Sequence, residues 1–455
     1  MPRKKAVKRI LIANRGEIAV RIIHTCDKLG IESVVTVSAA DQNSLPAKMA
    51  TQSICIGPPL ARDSYLRPEL IMQAALGTRC DALHPGYGFL SEQPVLANLC
   101  NENNIIFIGP KPSTIEKMGN KLKARGIAQK CDVPVLPISE SVNDIRIMKK
   151  RAEELGVPVL IKAAAGGGGR GMKVVRDLAN LDSSLSTAAS EAEAAFGDPT
   201  LFIEKFIEDA RHVEIQILGD QFGNVIHMAE RDCSLQRRFQ KVIEEAPVTG
   251  ASETVLTKMR KAAIKIAKEV GYLSAGTVEF LYDKDSGEFF FLEMNTRLQV
   301  EHPVTEMVTG ADIVKEQIRV NRGEKIDNAQ DLYRVNGHAI EARITAETPL
   351  ENFRPSPGKV TNWCAPTGDG IRVDTYCEKD CEIPPFYDSL VAKVIAHAPT
   401  RIEAIHKLSE ALSNLVIEGI DTNTKFLLKL LQDESFVAQY HNTRTVDQIL
   451  GSHIN

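Results

Sequence analysis

The chain has 455 residues, of which 43% are hydrophobic and 25% charged, and its formal net charge is −4. This length favours about three domains, and the slightly acidic balance argues against nucleic-acid binding as the main role. No apolar run approaches the roughly 20 residues of a membrane span. The apolar stretch in the basic N-terminus is too short for a signal peptide. We therefore expect a protein of the cytoplasm, with neither nucleic acid nor membrane as a partner.

The first hundred residues alternate between strand and helix patterns. KRILIA, from Lys8, predicts a strand, and EIAVRIIHTCDKLG, from Glu17, predicts a helix that stops at Gly30. Three further stretches predict strands: ESVVTVS, CDALHPG and NIIFIGP. Strands that alternate with helices indicate a mostly parallel α/β sheet.

A glycine-rich segment, AAAGGGGRGMKVV, covers residues 163–175 and follows the strand-like VPVLIK. A flexible linker would separate blocks of different composition, and a dinucleotide-binding turn would need a helix to open at the third glycine. Here the β-branched Val174 and Val175 follow instead. We interpret the segment as a hairpin whose glycines let backbone N–H groups approach phosphate oxygens. A hairpin tip without function is the alternative.

Residues 276–302, GTVEFLYDKDSGEFFFLEMNTRLQVEH, predict a β-hairpin that turns at DKDSG and places Glu279 near Glu293. Alternation along the second strand puts one polar row on a single face: Glu293, Asn295, Arg297, Gln299 and Glu301. Two carboxylates about 4 Å apart repel by roughly 4 kcal/mol at an effective dielectric near 20, and Mg²⁺ removes that repulsion. A solvated face is the alternative, but the flanking Asn and Arg favour a metal.

Two other polar stretches are candidate binding elements. RHVEIQIL alternates from Arg211, with His212 on its polar face, although a lone histidine is more often structural. ERDCSLQRRFQK contains four cations: Arg231, Arg237, Arg238 and Lys241. They indicate a solvated charge run, an ion-pair lattice with the glutamates at 244 and 245, or an anion site for phosphate or carboxylate. Lys121 and Lys162 fit a similar phosphate-directed role.

The later chain adds a polar helical stretch, LSTAASEAEAAF, and a third unit that begins near His338 with HAIEARI. This unit ends in a helical pattern over 401–419, RIEAIHKLSEALSNLVIEG. Nine cysteines are scattered along the chain, and the closest pair is Cys377 and Cys381. Zinc sites usually show tighter paired spacing, so we interpret the cysteines as buried or half-buried free thiols of a reducing compartment.

Nine motifs together resemble the biotin carboxylase family of the ATP-grasp superfamily, over nearly the whole chain. They are ANRGEIAVRI, HPGYGFLSE, FIGP, GGGGRGM, RHVEIQ, ERDCSLQRR, EEAP, EMNTRLQVEHPVTE and PSPGK. The resemblance implies an α/β and α+β fold of three domains. They are a doubly wound α/β domain at 1–115, an ATP-grasp domain at 116–330 with a glycine-rich lid at about 136–206, and a C-terminal α+β domain at 331–455.

The resemblance also implies an ATP-dependent ligase that makes carboxybiotin from ATP, bicarbonate and biotin through carboxyphosphate, with site residues in matching motifs. ATP contacts are Lys121, Lys162, Gly168, Gly169, Met172, His212, Gln236, Glu279 and Glu293, with an adenine hinge at Glu204, Lys205, Phe206 and Ile207. Ligands for Mg²⁺ or Mn²⁺, as two ions, are Glu279, Glu293 and Asn295. Bicarbonate contacts are Lys241, Arg297, Gln299 and Val300, and the catalytic set is Arg297, Lys241, Glu301 as base and Arg343 as stabiliser of the biotin enolate.

The implied partners are a separate biotin carboxyl carrier protein, carboxyltransferase subunits and a second copy of the chain. The implied acceptor is acetyl-CoA, for malonyl-CoA and fatty acid synthesis, with another acyl-CoA or pyruvate as alternatives. An ATP-grasp ligase with a different nitrogen acceptor would release ADP with bicarbonate but ignore biotin. A nucleotide-binding regulatory subunit would bind ATP without turnover. The chain departs from the family pattern at Phe239, where well-known members have a histidine that reaches ATP, and at Ala165, which shortens the glycine run.

Overall fold

The computed structural model describes residues 6–138, 145–164, 172–326, 330 and 333–451. Gly168 and Gly169 of the predicted ATP site, and Ala165, lie outside these ranges. Within the described part of the chain, no helix combines the length and the apolar character that a membrane crossing requires.

The N-terminal unit is built on a parallel sheet, as the alternating patterns predict. Its elements are β1 (Arg9–Ile12), α1 (Gly16–Leu29), β2 (Glu32–Val37), α2 (Leu45–Met49), β3 (Gln52–Cys55), α3 (Pro68–Gly77), β4 (Ala82–His84), α4 (Pro94–Glu102), β5 (Ile106–Phe107) and α5 (Pro112–Gly119). The next helix, α6 (Lys121–Lys130), packs through Ala124 and Ala128 into the core beneath the central sheet. The strand order is β3-β2-β1-β4-β5, and every pairing is parallel. Parallel strands place their carboxyl ends at one edge, where ligands bind in such sheets.

Helix α1 shows how the apolar spacing produces this packing. Ile18, Ile22 and Ile23 lie on one side of the helix and are at most 1% exposed in the core against the sheet. Gly30 ends the helix in the left-handed conformation with φ of 65°, so the predicted helix stop is confirmed.

The segment around the glycine-rich run forms a small three-stranded unit. Its elements are α7 (Ile145–Leu155), β6 (Val159–Ala163), β7 (Met172–Val175), α8 (Leu181–Phe196) and β8 (Leu201–Lys205). Strand β6 pairs antiparallel with both β7 and β8, which confirms the two strands predicted on either side of the glycine run. Met148, Ile161 and Leu185 belong to a core of this unit, separate from the core under α1.

An eight-stranded antiparallel sheet forms the middle of the molecule. The elements that follow β8 are β9 (Ala210–Gly219), β10 (Val225–Arg237), β11 (Gln240–Ala246), α9 (Glu253–Glu269), β12 (Ser274–Asp283), β13 (Phe289–Asn295), α10 (His302–Thr309), α11 (Ile313–Asn321) and β14 (His338–Thr345). After β14 come β15 (Glu347–Thr348), β16 (Arg354–Pro355), β17 (Gly358–Lys359), β18 (Asn362–Cys364), β19 (Ile371–Thr375), β20 (Glu382–Ile383) and β21 (Leu390–Ala398). The sheet order is β13-β12-β9-β10-β11-β14-β21-β19.

The chain ends with α12 (Arg401–Asn414), β22 (Val416–Glu418), α13 (Thr424–Gln432), α14 (Glu434–Val437) and α15 (Thr445–Gly451). The single helical pattern predicted over 401–419 is therefore wrong beyond Asn414. Leu415 is extended, and the β-branched residues that follow pair antiparallel with β18, including Ile417 opposite Trp363. Pairing with a neighbouring strand overrides the local helical spacing.

The eight-stranded sheet has two chemically different faces. The back face carries Val213, Ile215 and Ile217 of β9, which pack against apolar residues of α9 such as Met259 and Ile266. The front face carries His212, Glu214 and Gln216, all buried. Helix α10 packs on the front face through Val304 and Val308, against Ala339 and Ile395. Side-chain alternation thus directs every second residue of β9 toward the chemistry described next.

Candidate active site

A cavity of about 860 Å³ opens over the front face of the eight-stranded sheet. Every predicted site residue that the structure describes contributes to its lining. These are Lys121, Lys162, Met172, Glu204, Lys205, Phe206, Ile207, His212, Gln236, Lys241, Glu279, Glu293, Asn295, Arg297, Gln299, Val300, Glu301 and Arg343. The volume is in the range of cavities that hold small molecules.

Three glutamates lie side by side across neighbouring strands. Glu279 of β12 pairs with Glu293 of β13 on one side and with Glu214 of β9 on the other. The predicted proximity of Glu279 to Glu293 is therefore confirmed. Burial and then Glu279 raise the pKa of the Glu293 carboxyl. Burial would also raise the pKa of Glu279, but Lys241 and His212 lower it below its usual range.

The polar residues after Glu293 do not lie on one continuous strand, contrary to the prediction. Strand β13 ends at Asn295, and Glu301 precedes the first residue of α10, so an unbroken strand to Glu301 is wrong. Pro303 lies in the first turn of α10, where its fixed φ favours a helix over a strand. Arg297 donates to the side chains of Asn295 (3.1 Å) and Gln299 (3.0 Å), which holds the intervening turn over the cavity.

Lys241 is the centre of the charge network. Its Nζ donates to Glu214 at 2.7 Å and to Glu301 at 2.5 Å. A third bond of 3.0 Å goes to Glu279. The other oxygen of Glu301 accepts from Nη2 of Arg343 at 3.0 Å. One ammonium group thus joins three carboxylates from separate elements.

The fully buried Glu301 is ionised in this arrangement. Burial alone would raise the pKa of its carboxyl, but Lys241 and Arg343 lower it well below its usual range. Arg343 is itself held from the other side, because its Nε donates to Glu244 at 2.5 Å. Burial raises the pKa of Glu244 to about 7, against the opposing effect of Arg343.

The cation-rich stretch of residues 230–241 divides between the interior and the surface. Arg231 is fully buried and bonds to Glu214 and Gln216, while Lys241 lines the cavity. Arg237 lies over the ring of Phe353, with its guanidinium carbon 3.7 Å from the centroid. A solvated charge run is therefore wrong for Arg231 and Lys241. Both form ion pairs with Glu214 instead of with the predicted glutamates at 244 and 245.

The other end of the cavity is bordered by the three-stranded unit. Lys162 of β6 forms an ion pair with Glu204 of β8, which also pairs with Arg125 at 2.9 Å. Lys121 begins α6, and burial lowers its pKa. The backbone N–H of Phe206 donates to the carbonyl of Pro158 at 3.1 Å, so the segment after β8 is held against β6.

His212 connects the two ends of the cavity. Its Nδ1 lies 2.8 Å from the side-chain amide of Gln236, and its Nε2 lies 3.0 Å from a carboxylate oxygen of Glu279. The Gln236 amide at Nδ1 holds the imidazole, and Nε2 lies against the Glu279 carboxylate without the geometry of a hydrogen bond.

Several buried front-face residues were not among the predicted site residues. Alternation in RHVEIQIL contains the signal for Glu214, and alternation in HAIEARI contains the one for Glu341, two residues before Arg343 on the same face. Glu341 is fully buried, and burial raises its pKa well above the usual range. Lys393 is also fully buried, and its Nζ donates to the carbonyl of Val300 at 2.8 Å. A strand as apolar as β21 contains no local signal for such a lysine.

The oxygen-rich side of the cavity fits a divalent cation. Glu279, Glu293 and Asn295 offer carboxylate and amide oxygens, the ligands that Mg²⁺ and Mn²⁺ take. Burial and Glu279 raise the pKa of Glu293, so a cation beside this carboxylate would stabilise its ionised form. A second group, His212, Glu214 and Glu279, has ligand atoms within 4.8 Å of one another. Glu214 already accepts from Arg231 and Lys241, so a metal fits better on the Glu293 side.

Three family models match the chain in succession. They are the biotin carboxylase N-terminal domain over residues 6–115, the ATP-binding domain of the carbamoyl-phosphate synthase L chain over residues 120–329, and the biotin carboxylase C-terminal domain over residues 341–448.

Known proteins resemble the chain over nearly its whole length. Biotin carboxylase 1 of Bacillus subtilis is 49% identical, with 98% of this chain and 100% of the relative covered. A crystal structure of a Campylobacter jejuni biotin carboxylase complex with β,γ-ATP is 45% identical and superimposes with a TM-score of 0.94, covering 97% of this chain and 99% of that one. The biotin carboxylase domain dimer of Hydrogenobacter thermophilus 2-oxoglutarate carboxylase was solved with MgADP, ADP and bicarbonate. It is 43% identical, with a TM-score of 0.93 and 98% of both chains covered.

Proposed function

Because the chain belongs to the biotin carboxylase family, we propose a role for each of its site residues in the carboxylation of biotin with ATP and bicarbonate. It is an ATP-dependent enzyme of the ATP-grasp type, with ATP and Mg²⁺ as its nucleotide and metal and biotin as its substrate. The residue roles, the domain limits at 1–115, 116–330 and 331–455, the acceptor and the cytoplasmic setting are the proposed part.

One observation carries the assignment of the bicarbonate site: the ammonium of Lys241 is shared by Glu214, Glu279 and Glu301. A small anion that approaches this ammonium comes within reach of the Glu301 carboxylate in the same step. Arg297 adds a second cation at the edge of the cavity, and the turn that contains it is held by Asn295 and Gln299. Bicarbonate therefore binds among Lys241, Arg297, Gln299 and the backbone of Val300.

Glu301 acts as the base that removes the bicarbonate proton. In the free protein Lys241 and Arg343 lower the pKa of its carboxyl, which keeps it ionised but weakly basic. When Lys241 and Arg343 turn toward the bound anion, their positive charge no longer lowers the pKa of Glu301. The carboxylate then becomes more basic. A base whose basicity rises only when bicarbonate is bound does not activate water in place of bicarbonate.

Arg343 stabilises the negative charge that develops on the ureido oxygen of biotin. Glu244 pairs with its Nε and Nη2, and Nη2 also donates to Glu301, so the guanidinium is fixed in the lining of the cavity. Fixed donors aimed at a developing charge are among the largest contributions to catalysis in water-poor sites. Arg343 thus contacts Glu301 while bicarbonate is activated and contacts biotin while biotin is carboxylated.

Glu279, Glu293 and Asn295 hold Mg²⁺ or Mn²⁺, with two ions expected on ATP. Such an ion neutralises charge on the transferring phosphoryl group. Lys121 and Lys162 bind phosphate oxygens, and the segment from Glu204 to Ile207 binds adenine. To do so, Lys162 must exchange its ion pair with Glu204 for the nucleotide.

We expect acetyl-CoA as the final acceptor, with another acyl-CoA or pyruvate as alternatives. Biotin then arrives on a carboxyl carrier protein, and carboxyltransferase subunits complete the assembly. The Hydrogenobacter relative is part of a 2-oxoglutarate carboxylase and was solved as a dimer, which supports a homodimer and keeps other acceptors in consideration.

ADP release by the purified chain tests the proposal, measured with and without bicarbonate and with and without free biotin. We expect release that requires bicarbonate and increases when biotin is added. Release that needs bicarbonate but ignores biotin would favour a different nitrogen acceptor. Nucleotide binding without any release would contradict the assigned roles of Glu301 and Arg343.

A further inference from the structure

Two cysteine thiols lie in contact at the turn between β19 and β20, away from the cavity residues described above. The sulfur atoms of Cys377 and Cys381 are 3.2 Å apart, and both cysteines are free. A disulfide needs about 2.05 Å between the sulfurs, so a shift of roughly 1 Å brings them to bonding distance.

The turn holds the two thiols in this arrangement through its backbone. The N–H of Cys377 donates to the hydroxyl of Thr375 at 2.8 Å, at the end of β19. The carbonyl of Cys381 accepts from the N–H of Val360 at 2.9 Å, and the N–H of Asp380 donates to the carbonyl of Val360 at 2.8 Å. The contact between the sulfurs is therefore supported by fixed backbone on both sides.

The two thiols differ in exposure and in acidity. Cys377 is 3% exposed in a core with Tyr376 and Ile383, whereas Cys381 is partly exposed. The hydrogen bond with Cys377 lowers the pKa of the Cys381 thiol to about 7, and the same bond raises the pKa of Cys377. The thiolate is the nucleophilic form of cysteine, so Cys381 is the accessible nucleophile and Cys377 the thiol behind it.

We propose that Cys377 and Cys381 form a reversible dithiol–disulfide site that reacts with low-molecular-weight disulfides. The thiolate of Cys381 attacks one sulfur of the external disulfide, forms a mixed disulfide and releases one thiolate. Cys377 loses its proton and attacks the Cys381 sulfur, which closes the internal disulfide and expels the second thiolate. Two electrons and two protons pass from the protein to the reagent, which leaves as two thiols.

The same geometry makes the pair a chelating site for trivalent arsenicals. Phenylarsine oxide condenses with two neighbouring thiols to form two As–S bonds and one water. A monothiol displaces such a ring poorly, whereas a dithiol reagent removes it. Arsenical binding therefore detects the contact between the sulfurs independently of any redox reaction.

Redox titration of the full chain with stepped ratios of reduced and oxidised glutathione tests the proposal. Remaining thiols are alkylated, and the protein is cleaved with trypsin, which cuts after Lys379 between the two cysteines. We expect the oxidised chain to yield the two tryptic peptides joined by a disulfide, with a two-electron dependence on the glutathione couple. Both cysteines alkylated at every ratio would overturn the proposal, and so would a glutathione adduct on Cys381 that never resolves.

Single variants separate the two roles. Cys377→Ser should keep one glutathione on Cys381 as a stable adduct, and Cys381→Ser should prevent internal closure. Cys55→Ser and Cys364→Ser serve as matched controls, since both remove an exposed thiol and should leave the joined peptides unchanged. Phenylarsine oxide should bind the parent chain in a form that resists mercaptoethanol and yields to dimercaptopropanol. If the Cys377→Ser chain retains the arsenical equally well under the same treatment, the dithiol site is excluded.

Discussion

The front and back faces of the eight-stranded sheet both bury acidic clusters, and the two clusters differ in their charge balance. On the back face, Asp232 pairs with Arg211 at 3.0 Å, and Glu245 pairs with Arg401 at 2.6 Å and with His338 at 2.8 Å. These partners outweigh burial and lower the pKa of Glu245 to about 2, and that of Asp232 also falls. On the front face, burial raises the pKa of Glu214, Glu244, Glu293 and Glu341, whereas for Glu279 and Glu301 Lys241 and other nearby cations outweigh burial and lower it.

Two consecutive residues of β11 show the difference most directly. Glu245 points to the back face and has its cations in place, whereas Glu244 points to the front face and shares Arg343 with Glu301. The back cluster includes a group of potential metal ligands, Asp232, Glu245 and His441, but protein cations already neutralise it. The front cluster lines a cavity, and its cations Lys241 and Arg343 are each shared by two or more carboxylates. The side of the sheet that faces the cavity is therefore the side on which protein cations do not fully compensate the buried carboxylates.

The largest expected effect comes from removing Glu301, the proposed base on the front face. Glu301→Gln should lower bicarbonate-dependent ADP release by a factor on the order of 10² to 10⁴, the usual contribution of a general base. Nucleotide affinity, measured by titration calorimetry, should stay nearly unchanged because the metal ligands remain. Glu245→Gln is the matched control on the back face, since any folded fraction should keep its turnover. Equal loss of turnover and nucleotide binding in Glu301→Gln would remove the assigned role.

The back face should respond in stability instead. Glu245→Gln leaves Arg401 without its carboxylate partner in the interior, and breaking a buried pair in this way costs about 3–5 kcal/mol. We expect this loss in the free energy of unfolding, measured in urea. A change below about 1 kcal/mol would mean that the back cluster is solvated and that the contrast between the faces is weaker than the geometry indicates.

Glu293→Gln should give the opposite response on the front face. Without ligand, the variant loses a carboxylate whose pKa is raised by burial and by Glu279. Its free energy of unfolding should therefore rise, on the order of 1 kcal/mol, a typical size for one substitution. With MgADP, its affinity should fall by at least about 10-fold, since even indirect metal contacts are worth this much. A variant that is destabilised in the free form and binds MgADP normally would contradict the metal assignment.

The sequence predicts which side chains line the cavity better than it predicts the backbone that positions them. Alternation and the DKDSG turn were enough to pair Glu279 with Glu293, because period two and a short loop determine the register. They were not enough to show that the strand ends at Asn295, since Pro303 and α10 lie beyond the local pattern. The neutralisation of Glu245 by Arg401 depends on a contact across 156 residues, which no local period contains.

The pH dependence of stability should separate Glu244 from Glu245. Burial raises the pKa of Glu244 from 4.5 to about 7 in the folded protein. Its stabilising contribution is therefore complete below pH 4.5 and is lost as the pH rises through about 7. Glu245 behaves oppositely, because its contribution is present above 4.5 and is lost as the pH falls toward 2.

The free energy of unfolding is measured across this pH range for the parent chain and for Glu244→Gln. The difference between the two isolates the contribution of Glu244. We expect a difference that changes by at most about 1.4 kcal/mol per pH unit, confined to the interval from 4.5 to 7. Arg343, Glu301, Lys241 and Glu341 influence the same titration. If the difference is constant in this interval and varies only at lower pH, the pKa of Glu244 is lowered in the folded protein, like that of Glu245.

The smallest expected effect concerns Phe239, at the rim of the front cavity. This side chain is 44% exposed, and its backbone is left-handed with φ of 64°, a conformation that histidine adopts more readily than most bulky residues. Phe239→His should therefore fold at least as well and add one hydrogen bond to bound nucleotide. A net gain near 1 kcal/mol corresponds to an affinity about 5-fold higher, measurable by calorimetry with ADP. The exposed Phe222, at a turn outside the cavity lining, provides the matched control as Phe222→His, which should leave ADP affinity unchanged. If both variants behave alike, the rim of the cavity contributes nothing to nucleotide binding at this position.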